Sequence, residues 1–516
     1  MENMFSFRIH PKVVFPIAGF MFLCAVYYYW AWSHVLGDFG GDNAFYLLIA
    51  QYFSPWHTRS DVAAYFYANS LYPPLYPFVL AIFGGGESLL AAHLVTVTCL
   101  LLALAALYIW SRALRLPTLV AGLLTLLFAL LPITYKLALE VLSENLYLLS
   151  TLACVGAVAA HENDRRPIWL WAATGCLVAA TLTRSAGIAL LAAFVLYLLL
   201  HRPPSFLRLA VVAIAPTILW NLFSGHEGHG YLASFMEKYK ADPVTMFFQG
   251  LADGFKIIWY GWVSNFAGSS IARPLTGFLG ALCLTGMGYR VCLRKLDGFY
   301  SAAYLVLLLV WPFPAEVQRL LFVIMPVLLV QGVLLLERIP KMRIAKLDLR
   351  PVYILFAAIF LIVIPDLALT INRFITPMPV EYADYRRSPK WYYIDQNIAR
   401  MNVIMSKDLA MHMLSLRTIV PEGECIYGIK PSIVGYFSDR VSLAPPGPNL
   451  DQTAFDAYLK KTNCRYFYMM SIFSPSFSET YYPLARMRES LKAISMAQVS
   501  DNKSLPFGIL AEWERR

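Results

Sequence analysis

Charged side chains are scarce in this chain. Asp, Glu, Lys and Arg make up 14% of its 516 residues, whereas hydrophobic residues make up 59%. A soluble domain of ordinary composition carries about 25% charged residues. The shortage excludes a soluble globular protein of this length, and it predicts an α-helical polytopic membrane protein.

Two kinds of motif are also absent. The chain has no P-loop and no dinucleotide-binding fingerprint on a strand–helix unit, so nothing in it predicts a nucleotide-binding enzyme. It has no internal repeat and no matched pair of helices broken by Gly or Pro, which an inverted-repeat transporter tends to show. No clear small-residue cleavage site follows residues 13–33, so this run is predicted to be a first membrane span and not a signal peptide.

Apolar runs long enough to cross a bilayer recur along the chain. We predict eleven spans, at 13–33, 88–110, 117–134, 144–160, 168–183, 186–200, 208–223, 274–290, 299–312, 320–336 and 352–370. An odd number puts the two termini on opposite sides of the membrane. Lys and Arg concentrate at the N-terminus and in alternate loops, which predicts a cytoplasmic N-terminus. The net charge of +10 is therefore interpreted as a topology signal with attraction to anionic lipids, and not as nucleic-acid binding.

Three outer segments are too long to be simple connections. Residues 34–87 are predicted to contain membrane-parallel helices at Asn43–Phe53 and Asp61–Ala68, followed by a Tyr/Pro turn; a plain anchoring loop is the alternative. Residues 224–273 form a second, aromatic outer segment. It contains His226 and His229, which are weak candidates for metal ligands against the alternative of a solvated loop.

The third outer segment, residues 371–516, is predicted to be a small α/β domain on the outer side, separate from a membrane module at 1–370. Predicted strands and helices alternate in it: a helix at Lys390–Met413, a strand at Glu424–Ile429, a helix at Gln452–Lys461, a strand at Arg465–Met470, a helix at Pro483–Ile494 and a strand at Gly508–Trp513. Cys425 and Cys464 each precede a predicted strand. If those strands are parallel neighbours the two can form a disulfide; two buried free thiols are the alternative.

Charged side chains converge on the outer face. Six of them, from four separate stretches of chain, are predicted to lie at outer helix ends: Asp42, Glu140, Glu144, Arg184, Glu316 and Arg319. Simpler roles stay open for most of them. Ser143 and Glu144 suit the capped start of a helix, Arg184 can snorkel to the membrane surface, and Glu316 with Arg319 has the spacing of a local ion pair.

This mixture of acids and arginines suits group transfer from a phosphate-linked donor. A carboxylate can deprotonate an attacking hydroxyl group, and a guanidinium can stabilise the charge that develops on a departing phosphate. Because the outer face is a poor place for a nucleotide sugar and the chain has no nucleotide-binding motif, the predicted donor is a lipid phosphate that reaches the site within the membrane.

Short motifs in order along roughly residues 1–340 resemble the GT-C superfamily of polytopic glycosyltransferases, in particular its bacterial protein-mannosyltransferase and lipid A aminoarabinose-transferase branch. The motifs are Gly41-Asp42-Asn43-Ala44-Phe45-Tyr46, Tyr72-Pro73-Pro74-Leu75-Tyr76-Pro77, Ser143-Glu144-Asn145-Leu146, Leu182-Thr183-Arg184 and Arg319-Leu320-Leu321. The resemblance implies an inverting transferase of the bacterial inner membrane that uses a polyprenyl-phosphate sugar. It implies Asp42 as general base and Glu144 as the second acidic residue.

One departure from this family concerns the acceptor. Protein O-mannosyltransferases have an acidic pair at the first motif, whereas here Asn43 follows Asp42. A glycolipid or polysaccharide acceptor is therefore favoured over a protein. Alternatives from other classes are a transporter or flippase of lipid-linked sugars, a protein O-glycosyltransferase of the same fold, and a non-catalytic assembly or sensor protein.

The remaining site predictions follow from this hypothesis. The donor phosphate is predicted to bind among Arg184, Arg319, Arg273 and Lys136, without an order among them. The cavity wall is predicted to include Asn43, Tyr46, Tyr72, Tyr76 and Glu316. The sequence predicts no particular cofactor, and a divalent metal ion is an alternative.

Overall fold

Helices dominate the computed structural model of the chain. It describes residues 11–37, 39–56, 60–223, 243–266, 272–311, 313–340, 342–344, 347–392, 395–472, 477, 479–497 and 506–514. His226 and His229, the weak candidates for metal ligands, lie outside the described residues.

The helices are numbered here in chain order. They are α1 Pro11–Trp30, α2 Asp42–Phe53, α3 Asp61–Ala68, α4 Leu75–Ile82, α5 Leu89–Ala113, α6 Thr118–Leu130, α7 Pro132–Leu137, α8 Glu144–Asp164, α9 Pro167–Thr183, α10 Ile188–His201, α11 Phe206–Phe223, α12 Pro243–Phe266, α13 Arg273–Cys292, α14 Leu296–Leu309, α15 Val317–Leu336, α16 Pro351–Ile375, α17 Gln396–Ile419, α18 Pro431–Ser438, α19 Gln452–Thr462 and α20 Leu484–Met487.

Several of these helices suit a membrane. By length and composition, four helices among the described residues can cross one: α5, α13, α15 and α16. Six shorter apolar helices have 10–17 residues. Large apolar side chains such as Phe22 and Leu361 are exposed on their surfaces, as expected where lipid replaces water as the solvent. The protein is a multi-pass membrane protein, and the total of eleven spans stays a prediction.

Helix α15 lies at the centre of the bundle. Most of its side chains are buried, and α13 approaches it closely at Gly286, where a Cβ atom would lie 2.4 Å from the carbonyl oxygen of Gln331. Small residues at such crossings let two backbones approach in a membrane. The central position of α15 fixes the place of Arg319, which lies in its first turn.

The first outer segment contains three short helices. Those expected near 43–53 and 61–68 are confirmed as α2 and α3, and the Ser60 hydroxyl caps α3 by accepting the N–H of Ala63. The segment expected to be a Tyr/Pro turn continues instead into α4. Proline is tolerated at a helix start, and the Tyr76 ring packs edge-on to Tyr46 of α2, with centroids 5.0 Å apart. That α2 and α3 lie parallel to the membrane stays a prediction.

Part of the second outer segment is also helical. Residues 243–266 form α12, which packs along the central helix α15. Glycines allow the close approach, because a Cβ atom on Gly261 would lie 2.9 Å from the side chain of Leu321. Aromatic residues of this predicted outer segment, such as Trp259 and Trp262, lie on this helix.

The C-terminal residues form a mixed five-stranded sheet in the order β4–β3–β5–β7–β6. Strands β3 to β5 are parallel and β7 is antiparallel to both of its neighbours. A separate short hairpin, β1–β2, precedes α16. The strands are β1 Met342–Ile344, β2 Leu347–Leu349, β3 Ile426–Gly428, β4 Ser442–Leu443, β5 Tyr466–Met470, β6 Leu491–Ala497 and β7 Gly508–Trp513.

The helix predicted at Pro483–Ile494 is wrong. Only α20 is helical there, and β6 begins at Leu491. Strand β6 is an edge strand with mostly exposed side chains. Its sequence therefore lacks the alternation of polar and apolar residues that is typical of a half-buried strand. Pairing with β7 decides its conformation, and that pairing is not visible in the local pattern.

Cys425 and Cys464 form a disulfide in this structure, with their Cα atoms 5.0 Å apart. Cys425 directly precedes β3, and Cys464 lies two residues before β5, the parallel neighbour of β3. Because the bond closes a loop of 39 residues, we expect Cys425→Ser to lower the free energy of unfolding by about 2–4 kcal/mol, measured as a lower Tm, while replacement of the exposed Cys292 has little effect. Thiol titration of the denatured, unreduced protein should find six reactive cysteines out of eight; eight would contradict the bond.

Candidate functional site

Acidic and basic side chains from separate helices meet in one cavity. The space is about 370 Å³ including its open mouth. Its lining comes from the first outer segment, the α9–α10 turn and the start of α15: Asp42, Tyr46, Tyr72, Pro73, Thr183, Arg184, Ser185, Ala186, Trp311, Glu316 and Arg319. Four of the six charged side chains expected to converge line this cavity, whereas Glu140 does not.

Asp42 opens helix α2. It follows Gly41, whose φ of +107° is a conformation that residues with a side chain rarely adopt. One carboxylate oxygen of Asp42 accepts a 2.7 Å hydrogen bond from the Tyr72 hydroxyl, and the other accepts a 2.7 Å bond from Nη2 of Arg319. Burial alone raises the pKa of Asp42, but the Arg319 charge, these two hydrogen bonds and the Arg184 charge outweigh burial and lower that pKa below its usual value. Asp42 is therefore ionised in the resting site.

Glu144 is fully buried at the start of α8, in contact with two arginines that line the cavity. Its Oε1 atom is 2.8 Å from Nη1 of Arg184 and 2.8 Å from Nε of Arg319. A buried carboxylate needs such partners, because an isolated buried charge is costly. Glu144 thus orients both arginines toward the cavity.

Ser143 is not a helix cap, which corrects the simpler role considered for it. Its hydroxyl makes no capping bond to α8. It accepts a 3.0 Å hydrogen bond from Nη1 of Arg184 and lies 2.8 Å from the Tyr46 hydroxyl. Ser143 therefore links the arginine of the α9–α10 turn to α2.

Arg319 lies within 4.0 Å of three carboxylates, those of Asp42, Glu144 and Glu316. It bridges Asp42 and Glu144 at 2.7 and 2.8 Å, whereas Glu316, its neighbour one turn away, is 4.0 Å distant. The local i, i+3 pair that could have explained Arg319 is thus its weakest contact. Its side chain is 23% exposed, so one edge of the guanidinium stays accessible from the cavity.

Glu316 is the third carboxylate, on the short 3₁₀ turn Pro314–Glu316 before α15. The Trp311 indole donates a 3.4 Å hydrogen bond to it. Burial raises the pKa of Glu316, and the Asp42 charge adds to this effect; the Arg319 charge opposes it without cancelling it. The same cavity therefore lowers the pKa of Asp42 and raises the pKa of Glu316.

The charges leave little room for a metal ion. No group of three or more His, Cys, Asp or Glu side chains is placed to bind one among the residues that the structure describes. The guanidinium of Arg319 occupies the space between Asp42 and Glu144, where a bridging cation would lie. The set of side chains around Arg319 therefore does not fit a divalent metal ion.

The other predicted site residues divide between this cavity and other places. Tyr46 and Tyr72 line the cavity. Tyr76 is buried behind them, with its hydroxyl 2.7 Å from Thr96. Asn43 is also buried, and its side-chain oxygen accepts the N–H of Ala44, so neither Asn43 nor Tyr76 lines the cavity wall.

Two of the four cations proposed for the phosphate lie elsewhere. Arg273 is exposed at the start of α13 and does not line the cavity. Lys136 is on α7 near Asp366 and Glu140. Two residues of the site, Trp311 and Ser143, were not predicted as site residues. The position of Ser143 next to Glu144 was a signal that could have identified it. Nothing in the sequence distinguishes Trp311 from the other tryptophans.

An apolar groove lies on the same helix as Arg319. It has a volume of about 930 Å³ including its open side, and α12 to α15 form its walls. Its lining residues are Phe255, Ile258, Trp259, Trp262, Gly277, Gly280, Ala281, Cys283, Leu284, Leu305, Leu309, Leu321 and Leu328. Leu321 lines the groove two residues beyond Arg319, so helix α15 contributes to both the groove and the charged cavity.

Solved structures share this architecture over nearly the whole chain. ArnT from Cupriavidus metallidurans, solved bound to undecaprenyl phosphate, matches with a TM-score of 0.53 and 13% identity over 97% of each chain. The Archaeoglobus fulgidus oligosaccharyltransferase, solved with a tethered acceptor peptide, matches with a TM-score of 0.50 and 12% identity over 88% of this chain and 69% of its own. The chain has the GT-C fold.

The fold expected from the sequence motifs is therefore confirmed. No protein-family profile and no curated protein sequence matches the chain. At 12–13% identity the likeness concerns the fold alone, and the chemistry of the site depends on its own residues.

Proposed function

We propose that the protein is a membrane glycosyltransferase that transfers a sugar from a polyprenyl-phosphate donor to a cell-envelope acceptor on the outer face of the membrane. The observation that carries the proposal is the cavity in which Asp42 and the arginines Arg184 and Arg319 meet, together with an apolar groove that α15 also lines. A phosphate-linked donor with an isoprenoid tail needs both a cationic site and an apolar one.

The apolar groove suits the donor's lipid tail. Its walls are almost entirely carbon. Trp259 and Trp262 of α12 pack directly on Gly277 and Gly280 of α13, and glycine permits this contact because a Cβ atom on Gly277 would lie 2.8 Å from the Trp259 ring. The undecaprenyl phosphate bound in ArnT supports a lipid phosphate as the ligand of this fold.

The proposed reaction is a single displacement at the anomeric carbon. An acceptor hydroxyl attacks that carbon as its bond to the phosphate oxygen breaks, and the polyprenyl phosphate leaves with both electrons of that bond. The hydroxyl proton passes to Asp42, and the configuration at the anomeric carbon inverts. Arg184 and Arg319 stabilise the charge that grows on the departing phosphate.

Arg319 couples donor binding to the activation of Asp42. In the resting site its guanidinium holds Asp42 ionised but weakly basic. A donor phosphate competes with Asp42 for the same guanidinium, since both are anions within its reach. Once Arg319 turns toward the phosphate, Asp42 loses the interaction that lowered its pKa most and becomes a stronger base, at the moment when a proton has to be taken.

The acceptor is proposed to be a glycolipid or polysaccharide. Asn43 stands where the protein O-mannosyltransferases have a second acid, and it is buried away from the cavity. The acceptor peptide in the archaeal oligosaccharyltransferase makes a peptide the appropriate alternative acceptor for the experiment.

The test is a transfer assay with the full chain in lipid vesicles. Undecaprenyl phosphate carrying a labelled sugar is supplied with extracted envelope lipids, with polysaccharide or with peptides. Label is expected in a glycolipid or polysaccharide product, together with released undecaprenyl phosphate. Intact donor that has only crossed the vesicle membrane would indicate a flippase, and labelled peptide would overturn the acceptor assignment.

Tyr72→Phe is expected to shift the pH dependence of transfer. The Tyr72 hydrogen bond lowers the pKa of Asp42, so its loss raises that pKa. Asp42 has to be ionised to accept a proton, so the acid limb of kcat/KM should move to higher pH while activity near pH 8 changes little. Tyr458→Phe, which removes a hydroxyl bonded to the Ala444 carbonyl in the C-terminal residues, is the matched control; a shift of equal size in it would contradict the assignment.

A further inference from the structure

The backbone directly before Asp42 is held by residues from the other end of the chain. Nζ of Lys430 donates a 3.0 Å hydrogen bond to the carbonyl oxygen of Gly40, and Oγ of Ser432 donates a 2.8 Å bond to that of Gly41. These two carbonyls immediately precede the proposed base. About 390 residues of sequence separate them from their donors.

Close packing accompanies these bonds. Helix α18, which starts at Pro431, packs on α2, and the Phe437 ring lies edge-on to Phe39 with centroids 6.0 Å apart. A Cβ atom on Gly435 would lie 2.7 Å from the Phe66 ring of α3. The contact between α18 and the first outer segment is therefore tight and leaves little freedom for sliding.

Without these bonds, the backbone at Gly40 and Gly41 would have more conformational freedom. Gly40 and Gly41 carry no side chains, and glycine gives the backbone more freedom than any other residue. The Gly41 carbonyl also accepts the N–H of Phe45 in the first turn of α2. Ser432 is thus a second donor to the Gly41 carbonyl. It fixes the Gly41–Asp42 peptide, and the orientation of that peptide determines the direction of the Asp42 side chain.

We propose that Lys430 and Ser432 are positioning residues that hold the Gly40–Gly41 turn, and through it the Asp42 carboxylate, in register with Arg319 and Tyr72. This inference rests on the proposed function, because it assigns the C-terminal residues a part in the same reaction. Catalytic groups have to be held within a fraction of an ångström, and small misplacements far from the reacting atoms can cost about 10²-fold in rate.

Ser432→Ala tests this role against a matched control. Ser438 lies at the other end of α18, and its hydroxyl bonds only within that helix, to the Val434 carbonyl. Ser432→Ala is expected to lower kcat on the order of tenfold, with the KM for the donor unchanged, since Asp42 acts after the donor binds. Ser438→Ala should keep the kcat of the wild type. Ser432→Thr, which restores a hydroxyl, should recover most of the rate.

Hydrogen exchange gives a readout that does not depend on activity. Ser432→Ala, and more strongly the double variant with Lys430→Gln, should speed exchange in the peptide covering 39–53, while Ser438→Ala leaves it at the wild-type rate. Exchange in Ser432→Ala equal to that in Ser438→Ala would overturn the positioning role, whichever reaction the protein catalyses. If exchange changes as expected but the wild type transfers no sugar, the positioning of Asp42 stands and the proposed function fails.

Discussion

Asp42→Asn should retain the fold and lose at least two orders of magnitude in transfer rate. Loss of a general base typically costs 10²–10⁴-fold, and asparagine is nearly isosteric with aspartate. Tyr72 can still donate to the remaining carbonyl oxygen, and Arg319 keeps its contact with Glu144, so the cluster does not collapse. Initial rates at saturating donor measure the loss of transfer, and Tm measures whether the fold is retained.

Asp61→Asn is the control for this variant. Asp61 is exposed in the first turn of α3, in the same outer segment, and makes none of the cavity contacts. The same chemical change there should leave transfer within about twofold of the wild type. Comparable rates for Asp42→Asn and Asp61→Asn would remove Asp42 from the mechanism.

Arg319 variants should show the second largest effect. Arg319→Lys retains the positive charge but cannot bridge Asp42 and Glu144 through two separate nitrogens, as Nη2 and Nε do here. Because lysine offers a single point of charge, we expect a loss of about 10²-fold in kcat. Arg319→Gln leaves the fully buried Glu144 with one cation instead of two, so it should lose more activity and also some stability.

The control for lost stability is Arg290→Lys. Arg290 forms a two-point ion pair with Asp297, at 2.8 and 2.6 Å, away from the cavity. Lysine there should lower Tm and leave kcat near the wild-type value. If Arg290→Lys lowered kcat as much as Arg319→Lys, the effect at Arg319 would be a general consequence of breaking an ion pair.

The cluster of charged residues was predictable because the predicted topology places its members on the same side of the membrane. Positive charge in alternate loops fixed one face for Asp42, Glu144, Arg184 and Arg319, and the structure joins these four directly. The helices α2 and α3 were visible for a local reason: each has an aspartate in its first turn and an apolar face that is buried.

Pairing within the cluster was not predictable. Arg319 lies three residues after Glu316, which suggested a local pair, yet it contacts Asp42 at a separation of 277 residues. Arg273 and Lys136 have the right charge on the predicted face but lie outside the cavity, since side-chain direction depends on helix rotation in the bundle. Two further tertiary contacts are likewise not encoded in local sequence patterns. They are the hydrogen bonds that Lys430 and Ser432 donate to the carbonyl oxygens of Gly40 and Gly41.

The most direct test is the release of undecaprenyl phosphate from its labelled sugar conjugate by the purified chain, followed with and without envelope acceptor lipids. The wild type should release it in step with the appearance of a labelled product of inverted anomeric configuration. Asp42→Asn should do so at least a hundredfold more slowly, as expected for the loss of a general base. Equal release by both proteins, or a product with retained configuration, would contradict a single displacement with Asp42 as base.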